Sequence, residues 1–358
     1  MLSAKSQDAL EDIVKAATKR MADKFPESLP GFQKMFPDDA ACAKYLEAIR
    51  WRDGFQCPKC KATAEPFRFA ARPHQLRCKG CKKDISLIAG TIMERTHTPL
   101  STWFWAAFLI SALTPGMSAV QLQRQLGLTR YETAFQILHK LRAGMAPTSG
   151  RIGLRTHVEV DETYVGGRTR GKGRGVHDQA VVIGAVEVKQ RKVEEREDDH
   201  DRRKPRRGGR YAGRLRLAVI PDRTAKSCMG FVESNVDPAT QMVVTDGHQG
   251  YAALARHGYQ HLAVAERGEP NVAEDYLPII HLIFSNLKAW LNGVHHGVSP
   301  DHLQAYLNEF VFRFNRRFYP FNAFRSLLGL ATESEAPTYA ELYDGDWNHP
   351  STTGRSDG

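Results

Sequence analysis

Apolar positions alternate with polar ones through much of the second half of the chain, which is typical of β-strands. The first such run is His157-Val-Glu-Val-Asp-Glu-Thr. Further strands are predicted over residues 180–188, 214–222, 242–247 and 261–266. A helix-like run, Ala225 to Val236, separates the third strand from the fourth, and a second helix is expected between the fourth strand and the fifth. Three consecutive strands imply antiparallel hairpins, and the later alternation of helices and strands implies parallel crossovers.

This order of elements predicts a mixed α/β domain with an RNase H-like sheet. Residues 189–213 would then form a charged insertion in a hairpin turn. The segment 189–216 carries twelve Lys and Arg against six Asp and Glu, a net charge of +6. The insertion is compatible with DNA contact, with self-masking or with a solvated loop.

Helical spacing dominates residues 99–145. The strongly apolar run Trp103–Leu113 is 11 residues long, shorter than the roughly 20 needed to cross a bilayer, so it predicts a buried helix. Two shorter helices follow around Gly127, with Thr129 as the expected cap of the second. The pair predicts a helix-turn-helix-like region, although a plain helical hairpin has the same pattern. Its candidate DNA-binding residues are Arg130, Lys140 and Arg142.

Composition changes divide the chain into five expected parts. These are a helical N-terminal segment, a cysteine-containing zinc-ribbon domain, a helix-turn-helix-like region, the α/β domain and a flexible tail, over residues 1–35, 36–90, 91–150, 151–330 and 331–358.

The cysteines indicate a structural metal site. Cys57-Pro-Lys-Cys60 and Cys78-Lys-Gly-Cys81 are two CxxC knuckles separated by 17 residues, the spacing of a four-cysteine zinc site. Redox dithiols or disulfides are the alternative, but paired knuckles in a basic chain favour Zn²⁺. The remaining two cysteines, Cys42 and Cys228, are expected to be small buried residues.

The net charge of +10 and the pI near 9.3 suggest a polyanionic partner such as nucleic acid. Hydrophobic residues make up 42%, an ordinary balance that excludes wholly disordered and collagen-like chains. The first twenty residues have no apolar signal region, so we expect an intracellular protein without membrane contact. Residues 166–172 nearly match a phosphate-binding loop, but Gly173 replaces the required Ser or Thr, so no nucleotide cofactor is expected.

Two aspartates are the central catalytic candidates. Asp161 lies in the first predicted strand and Asp246 ends the fourth, and these are adjacent central strands in an RNase H-like sheet. Such a pair can hold two Mg²⁺ or Mn²⁺ ions about 4 Å apart for phosphoryl transfer. Glu162 is expected on the opposite face of the strand, whereas Glu159 shares the face of Asp161 and is a lesser candidate.

A late helix is expected to supply a third group. It begins near Pro278 and ends at Gly293. His281, Ser285, Lys288 and Asn292 form a polar stripe along it, beside an apolar face. An ordinary amphipathic helix has the same pattern.

Several segments together resemble a family of bacterial insertion-sequence transposases that have an N-terminal zinc ribbon and an RNase H-like DDE domain. The segments are FPDDAACAKYLEAIRWRDGFQCPKC, CKGC, VEVDETYVGG, TDGHQGY and FSNLKAWLNGVHHGVSPDHLQAYLNEFVFRFNRR, within residues 36–317. The resemblance implies metal-dependent DNA cleavage and strand transfer, with Asp161 and Asp246 as the first two catalytic acids. It also implies binding to terminal inverted repeats and to target double-stranded DNA, in a homodimer or larger assembly, at the nucleoid in the bacterial cytoplasm.

The chain departs from this family at the third acid. Much of the family has Glu seven residues before the lysine of the late helix, whereas this chain has His281 before Lys288. We hypothesise that His281 is the third catalytic group, as a ligand or proton acceptor, and that Lys288 contacts DNA phosphate. The alternatives are that Glu274 or Asp275 reaches the site, or that the chain is an impaired, DNA-binding relative. A nuclease of the same fold without strand transfer is a further alternative.

Overall fold

The computed structural model describes residues 25–146, 153–166, 179–190, 209–264 and 276–333, together with Pro337. Within them the chain forms two compact units. The helical unit comprises residues 25–146 and 316–333, and the sheet unit comprises the described part of 153–315. No helix in these described ranges is both long and apolar enough to cross a membrane.

The helical unit contains six helices and a small sheet among its described residues. In chain order these are α1 Leu29–Met35, α2 Asp39–Arg50, β1 Phe67–Arg68, β2 Gln75–Arg77, β3 Asp84–Ser86, α3 Leu100–Ala112, α4 Ala119–Gln125 and α5 Tyr131–Gly144. The sheet unit follows with β4 His157–Val165, β5 Ala180–Gln190, β6 Arg210–Ile220, α6 Ala225–Asn235, β7 Met242–Asp246, β8 His261–Val264, α7 Pro278–His295 and α8 Pro300–Asn315. Helix α9, Pro320–Glu333, belongs to the helical unit.

Aromatic side chains form the core of the helical unit. Phe32 and Phe36 contact Phe104 and Phe108 of α3, with ring centroids 4.6–4.9 Å apart for the closest pairs. Phe324 of α9 packs against the same rings. We expected the α/β domain to extend to residue 330 and the loose tail to start there, but α9 packs with the N-terminal helices and remains helical to Glu333.

The helix-turn-helix-like pair has one difference from expectation. Ser118 caps α4 by accepting a hydrogen bond from the N–H of Gln121, and Gly127 ends the helix with a φ of +61°. The cap of α5 is not Thr129 but Arg130, whose side chain makes no capping hydrogen bond. The Thr129 carbonyl instead accepts from the side chain of Gln123 across the turn.

The large sheet has the strand order β6-β5-β4-β7-β8. The first three strands pair antiparallel, whereas β4–β7 and β7–β8 are parallel, so the predicted mixed sheet is confirmed. Two short 3-10 turns, Gln249–Tyr251 and Leu254–His257, replace the helix expected between β7 and β8. Because β7 pairs with the first half of β4, the carboxyl end of β7 lies beside the middle of β4.

Helices cover both faces of the sheet. Alternate residues point to opposite sides of a strand, so Val182 and Val186 of β5 pack against α7 and α8. Ile183 and Ala185 pack with α6 on the other side. Along the outer edge of β6, side-chain amides from α8 replace a further strand. Asn315 exchanges hydrogen bonds with the Leu215 backbone, and Gln304 accepts the Val219 N–H.

Several expectations fall wholly or partly outside the described residues. These are the start of the helical N-terminal segment (1–24), all but Gly166 of the loop 166–172, the central part of the insertion (191–208), Glu274, Asp275 and most of the tail. At the insertion, β5 continues to Gln190 and β6 begins at Arg210, so both ends of the expected 189–213 segment are strand.

Candidate active site and metal centres

The four knuckle cysteines converge at one point of the ribbon. Their sulfurs all lie within 4.8 Å of one another, with Cys57 Sγ 3.8 Å from Cys81 Sγ and Cys60 Sγ 3.6 Å from Cys78 Sγ. A tetrahedral ion with Zn–S bonds of about 2.3 Å requires sulfurs about 3.8 Å apart. The donor set and its spacing therefore fit Zn²⁺.

The two knuckles share one backbone geometry. In the first, Cys57 N–H donates to the Ala62 carbonyl and Lys61 has a φ of +62°. In the second, Cys78 N–H donates to the Lys83 carbonyl and Lys82 has a φ of +59°. Burial raises the pKa of the Cys57 thiol, but backbone N–H donors and neighbouring thiols outweigh it and lower that pKa to about 6. The thiolate form that binds zinc is thus favoured at Cys57.

Asp161 and Asp246 come together at the centre of the large sheet. The parallel pairing between β4 and β7 ends at Val160 and Thr245, so each aspartate immediately follows the last residue that joins these two strands. The carboxylates of Asp161, Glu162 and Asp246 form one cluster, in which an oxygen from each lies within 4.8 Å of the others. Such a cluster of hard oxygen donors suits Mg²⁺ or Mn²⁺.

Glu162 is part of this carboxylate cluster, although strand alternation predicts that it faces away from Asp161. Its contacts do lie on the opposite face, with Arg223 at the start of α6 and Tyr251 in the first 3-10 turn. The open edge of β4 explains both observations. Because β7 has ended, side chains from either face of β4 can bend toward Asp246.

Arg223 and Tyr251 hold Glu162 from both sides of its carboxylate. Arg223 donates to Oε1 and the Tyr251 hydroxyl donates to Oε2, while the Glu162 side chain is only 1% exposed. Arg223 also lies 3.8 Å from Asp246, so its guanidinium stands between two carboxylates. Burial and the Glu162 charge raise the pKa of Tyr251 well above its usual value, which keeps the hydroxyl a donor.

The carboxylate of Asp246 accepts a hydrogen bond from a backbone N–H two residues further along the chain. The His248 N–H donates to its Oδ1 over 3.1 Å. Burial raises the pKa of the Asp246 carboxyl, and the charges of Glu162 and Asp161 raise it further, against that hydrogen bond. A bound cation would reverse both effects by stabilising the ionised form.

His281 lies at the same site on α7. Its Nε2 is 3.0 Å from Asp161 Oδ2, one turn into the helix. The start of α7 is fixed by Glu159 of β4, whose Oε2 accepts the N–H groups of Ile279 and Ile280 at 2.9 and 2.8 Å. Glu159 is therefore a helix cap rather than a group facing the cluster, and burial raises its pKa to about 7.

A glycine brings α7 this close to the sheet. Gly184 of β5 pairs directly with Asp161. A Cβ at that position would lie 3.0 Å from Ile280 and Phe284 of α7 and 2.8 Å from Leu217 of β6. The missing side chain thus allows α7, and with it His281, to approach Asp161.

The candidate DNA-binding residues have different environments. Arg130 is exposed at the start of α5, and Lys288 is exposed on α7, two turns beyond His281. Lys140 is half-buried, and burial lowers its pKa. Arg142 is only 1% exposed, so its assignment to a DNA-contacting surface is wrong. It lies beside Leu141 and Leu138, on the face of α5 that is buried.

Sequence patterns alone did not single out Arg223, Tyr251 or Gly184. A glycine inside an apolar strand indicates close approach of another segment, and that signal was available for Gly184. Arg223 and Tyr251 lie in ordinary turn sequences, and only the fold brings them beneath the aspartates.

Comparisons with known proteins agree with this architecture. A family model described as an ISXO2-like transposase domain matches residues 153–315, and a transposase zinc-ribbon domain model matches residues 37–84. The chain is also 27% identical over 297 residues to an uncharacterized protein in the transposable element ISH50 of Halobacterium salinarum, covering 78% of this chain and 92% of that protein. No solved structure matches the chain. The chain therefore contains a region similar to a transposase zinc ribbon, followed by a region similar to an ISXO2-like transposase domain, and this order of domains indicates an insertion-sequence transposase.

Proposed function

We propose that this protein binds the terminal inverted repeats of an insertion sequence and catalyses metal-dependent cleavage and strand transfer of double-stranded DNA. The observation that carries the proposal is the convergence of Asp161 and Asp246 from adjacent strands at the open edge of β4. The strand order, with three antiparallel strands followed by parallel ones, supports an RNase H-like catalytic domain.

Asp161 and Asp246 are the proposed ligands of the catalytic Mg²⁺ or Mn²⁺. When bound, such an ion polarises the phosphodiester and favours ionisation of an attacking water or 3′-hydroxyl. Glu162 lies within reach, but both of its oxygens already accept hydrogen bonds from Arg223 and Tyr251. We therefore assign Glu162 to positioning Arg223 beside Asp246, and leave metal binding to the two aspartates.

His281 is the proposed third catalytic group. Its Nε2–H donates to Asp161, which orients the imidazole and leaves Nδ1 as the ring nitrogen that can accept a proton from the attacking hydroxyl. Lys288 lies seven residues further along α7 and is exposed, which suits a contact to DNA phosphate. Arg130 and the half-buried Lys140 of α5 are the remaining candidates for DNA contact in the helix-turn-helix-like region.

Two DNA ends must be brought together for strand transfer, so we propose a homodimer or larger assembly in the active complex. Its DNA substrate would place the protein at the nucleoid, in the bacterial cytoplasm.

A cleavage and joining assay tests the proposal. The protein is mixed with a labelled duplex carrying the repeat that flanks its gene, in Mg²⁺ and separately in Mn²⁺. We expect 3′ nicks and joined products that disappear in Asp161→Asn and Asp246→Asn but persist in Asp301→Asn, which changes an exposed acid of α8. Nicking without joining would identify a nuclease. Binding to the repeat without nicking, in Mg²⁺ and in Mn²⁺, would identify an impaired transposase.

The role of His281 is tested in the same assay. His281→Ala is expected to slow cleavage by roughly a hundredfold or more, the usual contribution of a general base. Cleavage as fast as in the parent protein would exclude His281 from catalysis. Lys288→Ala is expected to weaken binding to all duplexes alike and to reduce its salt dependence.

A further inference from the structure

The zinc ribbon carries far more positive charge than its fold requires. Residues 57–86 contain eight Lys and Arg and two acids, so thirty residues hold a net +6 of the chain's +10. Five lysines flank the two knuckles and all are exposed: Lys59, Lys61, Lys79, Lys82 and Lys83. Because the four sulfurs converge, these lysines are gathered around one end of the ribbon.

An exposed aromatic ring lies next to this charge. The Phe67 side chain is 55% exposed at the start of the small sheet, although neighbouring Leu76 and Ile85 are buried inside it. Its ring contacts Phe69 with centroids 5.1 Å apart and planes at 79°. The guanidinium groups of Arg72 and Arg77 lie 4.8 and 5.1 Å from the centre of the Phe69 ring. Phe67 is therefore supported by a packed aromatic and cationic group.

The register of the small sheet puts this group beside the second knuckle. Phe67 pairs with Arg77, and Arg77 pairs with Asp84. A hydrogen bond from Arg77 lowers the pKa of the Asp84 carboxyl, and the charges of Arg72 and Lys59 lower it further. The three cations therefore lie near the paired residues Phe67, Arg77 and Asp84. We call Lys59, Phe67, Phe69, Arg72 and Arg77 the aromatic–basic face.

We propose that the aromatic–basic face binds single-stranded DNA, with Phe67 stacking on an unpaired base and the surrounding cations contacting its phosphates. A basic surface with an exposed aromatic ring is how proteins bind single strands without sequence preference. Bases of an intact duplex already stack on each other and offer no free face to the ring. A second copy of the same positive face would repel it.

The choice of DNA as the nucleic acid rests on the proposed transposase function, in which strand cleavage and transfer expose unpaired ends. The stacking geometry itself is independent of cleavage. Binding can therefore be tested without catalytic metal and judged separately from the chemistry at Asp161 and Asp246.

Fluorescence anisotropy of the full, zinc-loaded chain without Mg²⁺ or Mn²⁺ provides the test. The probes are a labelled single strand of about ten nucleotides, a typical site size, and the corresponding duplex. Phe67→Ala is expected to weaken single-strand binding about tenfold, as one lost stacking contact does, and to leave duplex binding within about twofold. Phe67→Tyr should restore the affinity, because any aromatic ring can stack.

Phe318→Ala is the matched control. Phe318 is 61% exposed, and the Arg317 guanidinium lies 4.4 Å from the centre of its ring, but Phe318 is outside the ribbon. Its replacement should leave single-strand affinity unchanged. Lys59→Ala should reduce the slope of log affinity against log salt by about 0.7, the value for one phosphate contact on a single strand.

Three results would overturn the proposal. They are unchanged single-strand binding in Phe67→Ala with full zinc content, equal losses for single strand and duplex, and tighter binding to an RNA strand of the same sequence. Asp246→Asn separates the two functions, because it should abolish cleavage and keep the Phe67-dependent binding. Cleavage that persists in Asp246→Asn, with Phe67-dependent binding intact, would count against the catalytic proposal alone.

Discussion

The ribbon and the large sheet each bring together a group of metal-binding side chains, by different means. The four cysteines come from two knuckles separated by 17 residues, and each knuckle fixes its own geometry through local backbone hydrogen bonds. Asp161 and Asp246 are 85 positions apart and meet only because β4 and β7 pair in parallel. The first site is a property of short sequence segments, whereas the second is a property of the whole sheet.

The two sites also differ in what holds them before a metal binds. The sulfurs contact one another and backbone N–H groups. The carboxylates are engaged by Arg223, Tyr251, His281 and the His248 N–H. We infer that the ribbon depends on its metal to fold, whereas the carboxylate cluster is assembled by the protein itself.

Zinc removal should produce the largest effect. Structural zinc contributes about 10–16 kcal/mol in small zinc domains, far more than a ribbon with three short strands gains from packing. Chelation, or Cys78→Ser, is expected to expose residues 57–86 to protease while the sheet unit keeps its cooperative unfolding transition. Cys42→Ser is the control, since buried Cys42 lies outside the cluster and should leave zinc content unchanged. A ribbon that stays protease-resistant without zinc would show that its fold does not depend on the metal, contrary to the difference inferred between the two sites.

Arg223→Met should make the carboxylate cluster depend on metal as the ribbon does. The change leaves Glu162 buried without its cation, and breaking a buried ion pair costs about 3–5 kcal/mol, with the lower end expected because Arg223 is partly exposed. Added Mn²⁺ should then raise the melting temperature more in this variant than in the parent protein. Arg155→Met, which breaks the more exposed pair with Asp237, should cost at most about 1 kcal/mol and show no added metal response. Equal increases in melting temperature with Mn²⁺ in both variants would show that the Arg223 charge does not take the place of a bound metal ion.

Glu159→Gln tests how the cap of α7 depends on charge. Burial raises the Glu159 pKa from 4.5 to about 7, so between these values the folded protein holds a proton that the unfolded chain releases. The parent protein should therefore lose up to about 3 kcal/mol of unfolding free energy as pH rises from below 4.5 through 7.

Glutamine has no charge to desolvate and still offers an oxygen to the Ile279 and Ile280 N–H groups, so this loss should disappear in the variant. Urea unfolding across that pH range without added Mg²⁺ or Mn²⁺ measures it. Glu27→Gln, at an exposed position before α1, should keep the pH dependence of the parent. If Glu159→Gln also kept it, the cap would not titrate in this range.

Sequence reasoning predicted most of the large fold because alternation and helical spacing follow directly from which faces are buried. It placed β4, β5, β6, α6 and β7 to within a few residues. It failed where local patterns carry little information. The 3-10 turns after β7 have no helical periodicity to distinguish them, and α9 leaves the sheet unit through contacts that are remote in sequence.

The same distinction applies to the sites. The cysteine spacing predicted all four members of the sulfur cluster, since each knuckle is a local structure. In the sheet, alternation assigned Glu162 to the correct face, but the early end of β7 is a tertiary feature that no local pattern reveals. Arg142 was misassigned because a basic residue beside an apolar stripe is usually exposed, and here the buried face of α5 is wide enough to include it.

Gly184→Ala should give the smallest effect and most directly tests whether the carboxylate site depends on remote packing. The added methyl would meet Leu217, Ile280 and Phe284 at 2.8–3.0 Å, and such overpacking costs about 1–3 kcal/mol. We also expect slower cleavage, because α7 must move outward and take His281 away from Asp161. Gly230→Ala is the matched control, since Gly230 is on the exposed face of α6 with nothing within 4 Å of the added Cβ, and alanine there should stabilise the helix by up to about 1 kcal/mol. If Gly184→Ala unfolded and cleaved like the parent protein, the carboxylate site would not depend on the close approach of α7 and would be as locally determined as the ribbon.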